Sequence, residues 1–152
     1  MKDTRQMQSL LDPEGFYGAL SAQLNVTERL NVPCALLILR MEFEDIYVER
    51  FQIADREAFH SSFASAATGM VRGTDTVGWF AEGCLGILLR CVTAEETSLV
   101  AARLQKDLAR RPLLVGGHNL YLAVQIGGVW TSGDRPMPLD DFTDQAYFAM
   151  LG

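Results

Sequence analysis

The chain has 152 residues and a mass of 16.8 kDa; 49% of it is hydrophobic and 21% charged, with a formal charge of −6 and a pI near 4.8. That length and composition suit one globular domain able to bury a core without disulfide or metal staples. The acidic balance, with no lysine cluster or basic stripe, excludes a general nucleic-acid or anionic-membrane binder, so an anionic ligand needs a local arginine site. Eleven of the thirteen basic residues are arginine, the side chain suited to bidentate contact with phosphates and base edges. Cys34, Cys84 and Cys91 lack CxxC spacing and stand in apolar, strand-like surroundings, as expected of buried thiols in a reducing cytoplasmic setting. No charged leader with an apolar core opens the chain, and no apolar run nears the roughly 18–20 residues that cross a bilayer, so no membrane insertion is expected.

Residues 1–12 are polar and weakly patterned, and are read as a lead-in or linker to one domain over 13–152. Together with the bare end at Leu151-Gly152, they suggest a piece of a longer protein. From Pro13 a helix is predicted to about Leu30: Phe16, Ala19, Leu20 and Leu24 recur at helical spacing, and proline near the start loses no hydrogen bond. Cys34–Leu39 is a continuous apolar run too short for a typical helix and is read as a central strand buried on both faces. Its exit, Arg40 to Asp45, is abruptly charged, which marks either a functional strand end or a chain reaching solvent. Residues 43–54 carry no clear period. Helix resumes by Asp55, with Phe59, Phe63, Ala66, Ala67 and Met70 in one stripe and His60 beside it as a histidine satisfied by a neighbour.

Thr76–Phe80 and Leu85–Leu89 flank Glu82-Gly83, the pattern of a hairpin with a two-residue turn whose tip is exposed. Thr93-Ala-Glu-Glu96 fits a capping box and opens a helix to about Arg110. Leu99, Val100, Arg103, Leu104 and Leu108 are assigned to its inner and boundary faces, and Lys106, Arg110 and Arg111 suit its C-terminal end. Leu113–Val115 and Leu120–Ile126 read as a second hairpin around Gly116–Asn119, the later strand alternating Leu120, Leu122, Val124 and Ile126 on one face. Gly116-Gly117 lacks the Gly-Lys-Ser/Thr and helix start of a phosphate loop, so it reads as a turn. Thr131–Pro138 is a predicted loop, and Leu139, Phe142, Ala146 and Met150 predict a closing helix. This order is α+β: a mixed, mainly antiparallel central sheet flanked by helices.

Several of these stretches carry a family likeness. Leu10 to Leu20 resembles the opening motif of GGDEF domains, the diguanylate cyclase modules that join two GTP molecules into cyclic di-GMP. Ala35–Leu39 resembles the strand before that family's first metal-binding aspartate, Val71–Val77 its approach to the signature hairpin, and Asp144–Phe148 its late helix. The resemblance spans nearly the whole chain and implies a nucleotide-cyclase palm with a ferredoxin-like core. The signature is missing: Ala81-Glu-Gly-Cys-Leu85 stands in its place, and the two metal-holding acids fall on Gly83 and Arg40. Two-metal chemistry needs anionic oxygens to hold the ions, so no metal site, no cofactor and no cyclase activity are expected. Glu42 and Glu82 are acids at neighbouring positions, without the family's pairing. The family's guanine-recognising asparagine and aspartate fall near Val48 and Glu57.

Arg72-Gly-Thr-Asp75 does match, at its expected distance before the signature, the Arg-x-x-Asp motif by which members bind cyclic di-GMP at an inhibitory or receptor site. A guanidinium can pair with phosphate or the guanine O6/N7 edge while a carboxylate accepts from the guanine amines. The resemblance adds Arg103 from the following helix, and Arg29 from the same or a second subunit of a homodimer. The competing reading of Arg72 and Asp75 is a local ion pair or cap at a helix end. Trp79 replaces the family's arginine before the signature and is expected against the sheet or a partner. Two functions follow from the resemblance. One is a catalytically inactive domain that binds cyclic di-GMP and signals to an attached domain or partner protein; the other is a ligand-free interaction or dimerisation module.

Overall fold

The computed structural model describes residues 10–152. Strand β1 (Leu10–Leu11) leads into helix α1 (Pro13–Leu30), followed by β2 (Cys34–Met41), α2 (Glu44–Arg50), α3 (Arg56–Thr68), β3 (Thr76–Ala81) and β4 (Cys84–Arg90). Helix α4 (Ala94–Arg110), the short strands β5 (Leu113–Val115) and β6 (His118–Leu120), β7 (Val124–Thr131) and α5 (Leu139–Leu151) complete the described residues. The main sheet has the order β1-β3-β4-β2-β7, antiparallel throughout except for β1, which runs parallel to β3. The expected α+β fold with a mixed, mainly antiparallel sheet is therefore present.

Strand β2 shows why the sheet has two cores. Ala35, Leu37, Leu39 and Met41 enter the layer beneath α3 and α4, with Phe59, Phe63, Leu104 and Leu108; Cys34, Leu36 and Ile38 enter the layer beneath α1 and α5, with Phe16, Leu20, Phe142 and Met150. Alternate side chains leave a strand on opposite faces, so a strand covered on both sides needs apolar residues at every position. Each of the large side chains involved contributes about 1.5–3 kcal/mol on leaving water.

Local signals set the helix ends. Asp12 caps α1 by accepting the Gly15 N–H at 2.7 Å, and Asn31 closes it in the left-handed region, φ 53°. The predicted capping box is present at α4: Thr93 Oγ1 accepts the Glu96 N–H at 3.0 Å and Glu96 Oε1 accepts the Thr93 N–H at 2.9 Å. The buried residues of α4 are Thr97, Leu104 and Leu108, whereas Leu99, assigned to the inner and boundary faces, is 69% exposed. Leu99 lies too far round the 3.6-residue turn from Leu104 and Leu108 to share their stripe.

Three further expectations are corrected. The lead-in over 1–12 gives way at its end, because Leu10 and Leu11 pair with Val77 and Gly78 at the sheet edge; the remainder of that stretch lies outside the described residues. The predicted strand Leu120–Ile126 is two strands: His118–Leu120 pairs with β5, and Val124–Thr131 pairs with β2. The alternation passes through the break because Leu120, Leu122 and Val124 all face the α3/α4 core, although the chain changes hydrogen-bonding partner. Of the cysteines, Cys34 and Cys84 are buried and Cys91 is exposed, at φ 58° after β4.

Burial pushes the Cys34 thiol's pKa up, against the hydrogen bond from Thr27 and the charge of Arg90, and likewise pushes up that of Cys84. Both thiols therefore stay protonated in the fold at a pH where unfolded cysteine, with a pKa of about 8.5, ionises. Because their pKa values are raised on folding, they penalise the folded state as the pH climbs above that unfolded value. Ellman's reagent at pH 8 is expected to titrate Cys91 alone in the native protein and all three thiols in denaturant; rapid native modification of Cys34 or Cys84 would contradict this packing.

Candidate functional site

The hairpin of β3 and β4 turns at Glu82-Gly83, where Ala81 pairs with Cys84 and Gly83 takes φ 76°. A positive φ suits glycine, which has no Cβ to clash with the backbone. The tip forms one wall of an open cleft of about 660 Å³, with Arg40, Glu42, Glu44, Arg56, His60 and Gln125 among its lining. Arg40, at the β2 exit, faces Gln125 on β7 and donates to its Oε1 from Nε at 3.1 Å and from Nη2 at 2.6 Å. Thus a guanidinium occupies the position where the resemblance places a metal-binding aspartate, and Gly83 brings no carboxylate from the tip.

A second polar group closes the cleft's side. His60 Nε2 lies 2.7 Å from Glu44 Oε1, so the sequence's helix-flank histidine does have a neighbour as partner. Arg56 Nη1 donates to Glu44 Oε2 at 2.6 Å and to Asp45 Oδ1 at 2.7 Å, and these bonds, from Asp45 first, raise the guanidinium pKa. They hold α2 against α3. Helix α2 itself falls in the stretch without a readable period: it buries no residue and is bounded by Phe43 at φ 59° and Gln52 at φ 52°. Trp79 is half-buried against the α3/α4 core, its ring centroid 5.8 Å from that of His60. Among the described residues, no group of three or more His, Cys, Asp or Glu side chains is placed to hold a metal ion.

Arg72 and Asp75 meet in the turn between α3 and β3. The Asp75 N–H donates to the Arg72 carbonyl at 3.0 Å, and the Arg72 N–H donates back to Asp75 Oδ2 at 3.0 Å. The side chains pair as well, Arg72 Nη2 donating to Asp75 Oδ1 at 3.2 Å and Nε to Oδ2 at 3.5 Å. The Asp75 carboxylate is 3% exposed and the Arg72 side chain 56%, so the pair offers solvent mainly its cation. Arg72 Nη2 also donates to the Arg90 carbonyl at 3.1 Å, fastening the turn to the end of β4. Arg103 lies on the exposed face of α4 and joins no hydrogen bond or ion pair with Arg72 or Asp75. Arg29 is exposed near the end of α1.

Arg90, which no sequence motif marks, holds this turn from behind, and Gln23 in turn holds Arg90. Arg90 Nη1 donates to the Thr74 carbonyl at 2.9 Å and to Thr76 Oγ1 at 2.6 Å, while its Nε donates to Gln23 Oε1 at 3.0 Å. Two features of the sequence point to them: a charged residue ending an otherwise apolar strand, and a glutamine beside the apolar stripe of α1.

The sequence matches no protein-family model and no curated protein, but solved structures resemble the fold closely. The GGDEF domain of FimX from Pseudomonas aeruginosa superposes at a TM-score of 0.84 with 13% identity, covering 93% of this chain and 86% of that one. The diguanylate cyclase SiaD of the same organism, solved with its activator SiaC, gives 0.83 with 15% identity over 93% of this chain and 54% of that chain. The coiled coil and GGDEF domain of DgcB from Caulobacter crescentus, solved with c-di-GMP, gives 0.81 with 11% identity over 99% and 82%. The chain thus has the fold of GGDEF domains, at identities that speak for the fold alone.

Proposed function

We propose that this chain is a catalytically inactive GGDEF-fold regulatory domain that binds cyclic di-GMP through Arg72, Asp75 and Arg103 and passes occupancy to an attached domain or partner protein. The observation that carries this reading is the assembled Arg72–Asp75 turn, in which a half-exposed guanidinium is already oriented by a buried carboxylate. Arg72 Nη1 has no partner among the described residues and is available for a phosphate or the guanine O6/N7 edge. Fixing the guanidinium before the ligand arrives reduces the ordering cost of binding. Arg103, exposed and uncommitted to that pair, supplies a second cation on a different element. Against catalysis stands Arg40, whose positive charge opposes a divalent ion where the cyclase chemistry needs an acid.

Another observation favours the second reading, a ligand-free interaction or dimerisation module. Both Asp75 oxygens are spent inside the turn, and Arg72 already reaches the Arg90 carbonyl, so the motif is satisfied as a structural cap. Isothermal titration with cyclic di-GMP separates the two readings. The wild type is expected to bind, and Arg72→Ala to bind at least about tenfold more weakly, the loss of one charge-assisted hydrogen bond. Arg103→Ala is expected to weaken binding without disturbing the fold. No heat from the wild type at high micromolar ligand would leave the interaction module standing.

A further inference from the structure

We propose that Arg90 is the positioning residue of the Arg72–Asp75 turn and that Gln23 ties this turn to helix α1. The proposal rests on the reading of the turn as the ligand site, and its test separates the two. Arg90 holds the turn from two directions: its carbonyl accepts from Arg72 Nη2 at 3.1 Å, and its guanidinium donates to Thr74 O at 2.9 Å and Thr76 Oγ1 at 2.6 Å. Thr74 lies inside the turn and Thr76 opens β3, so the Arg90 side chain holds the Asp75 end of the loop while the Arg90 carbonyl holds the Arg72 side chain, both from the end of β4.

The same guanidinium donates from Nε to Gln23 Oε1 at 3.0 Å. Gln23 is buried, 7% exposed, on a helix whose other inward residues are mainly apolar, so its amide needs partners inside the protein. It finds them in Arg90 and, by a long 3.5 Å contact from Nε2, in Thr27 Oγ1, which donates onward to Cys34 Sγ at 3.4 Å. No other hydrogen bond among the described residues joins α1 to the segment from Arg72 to Thr76 or to β4. A ligand that draws Arg72 outward alters the load on the Arg90 carbonyl, and the Arg90 guanidinium carries that change to Gln23. Linkage requires the converse: a shift of α1 changes affinity at the turn. Lysine cannot replace Arg90 here, because one ammonium lacks the planar fork that reaches Gln23 and Thr74 together.

Amide hydrogen exchange with and without cyclic di-GMP, beside calorimetry, tests the proposal on wild type, Arg90→Met, Arg90→Lys and Gln23→Leu. In Arg90→Met the Arg72 and Asp75 amides are expected to exchange at least about tenfold faster without ligand, and cyclic di-GMP to bind about tenfold more weakly. Arg90→Lys is expected to fold and to loosen the same amides. In the wild type the ligand is expected to slow exchange around Gln23 and Thr27 at least about fivefold. Gln23→Leu is expected to keep the affinity within about twofold and to lose that response. Turn amides at wild-type rates in both Arg90 variants would overturn the positioning role, and an intact α1 response in Gln23→Leu would overturn the tie. A wild type that shows no ligand binding, with turn amides still loosened in Arg90→Met, would sink the ligand reading while leaving Arg90's role intact.

Discussion

Given GTP with magnesium or manganese, this protein is expected to release no cyclic di-GMP, and the single substitution Arg40→Asp is expected to tighten Mn²⁺ binding in the cleft at least about tenfold. The argument is electrostatic. Arg40 is pinned to Gln125 by two hydrogen bonds, at 2.6 and 3.1 Å, which keep its positive charge in a cleft also lined by Glu42, Glu44, Asp45 and Glu82. Two unit charges about 4 Å apart near a protein surface interact by about 4 kcal/mol, and the sign reverses with the substitution. Salt screening and solvent reduce that figure, but about 1.4 kcal/mol suffices for a factor of ten. Catalysis is expected to stay absent in the variant, since the tip position that the resemblance assigns to the second metal-holding acid is still Gly83. Calorimetry or Mn²⁺ resonance reads the affinity. Unchanged Mn²⁺ affinity in Arg40→Asp would show that Arg40 does not govern the cleft, and cyclic di-GMP made by the wild type would overturn the inactive reading.

Gly127→Ala is expected to destabilise the fold by about 3 kcal/mol or more, the upper range for overpacking. A Cβ at Gly127 would overlap the backbone nitrogen of Met150, so α5 sits directly on β7 at this point. Backbone cannot rotate aside as a side chain can; the helix must lift, and Phe142, Ala146 and Met150 would lose contact with their core. Gly128 supplies the comparison. Its added Cβ would face the other side of the strand and come 2.7 Å from Leu37 Cδ2, the far end of a flexible side chain. Gly128→Ala is therefore expected to cost less, about 1–2 kcal/mol. For a domain of this size each kcal/mol moves the melting temperature by roughly 2–4 °C, so thermal unfolding resolves the two variants. Equal melting temperatures for Gly127→Ala and wild type would show that α5 does not pack on β7 as described.

Elements with a strong local reason to form were legible. The apolar run from Cys34 to Leu39 had to be covered on both faces, and it is. Thr93 and Glu96 satisfy each other's backbone amides within four residues, so their capping box needs no tertiary partner. Glu82-Gly83 between two apolar runs specified its turn, and Gly83 takes the left-handed conformation that the turn requires. Arg72 and Asp75 belong with these, because an Arg and an Asp three residues apart can meet across one turn. Even the α+β class follows from burial periods that each segment carries alone.

Other features depended on residues far apart in the chain. Helix α2 has no fully buried side chain and hence no periodic signal; the Arg56 ion pairs, the hydrogen bond between His60 and Glu44, and the partly buried Tyr47 and Val48 hold it in place. The alternation from Leu120 to Ile126 recorded which side faces the core but not the change of strand partner at Tyr121–Ala123, because burial and hydrogen-bonding register are separate constraints. Arg40 finds Gln125, Arg90 finds Gln23, and Gly127 meets Met150 only once the strand order brings them together. The sequence alone thus determined the helices other than α2, the central strand and the position of the Arg72–Asp75 turn, since these arise from the need to bury one face or satisfy nearby backbone groups. The packed fold decided the charge of the cleft and the contacts behind the turn, because those pairings exist only after the sheet has chosen its register.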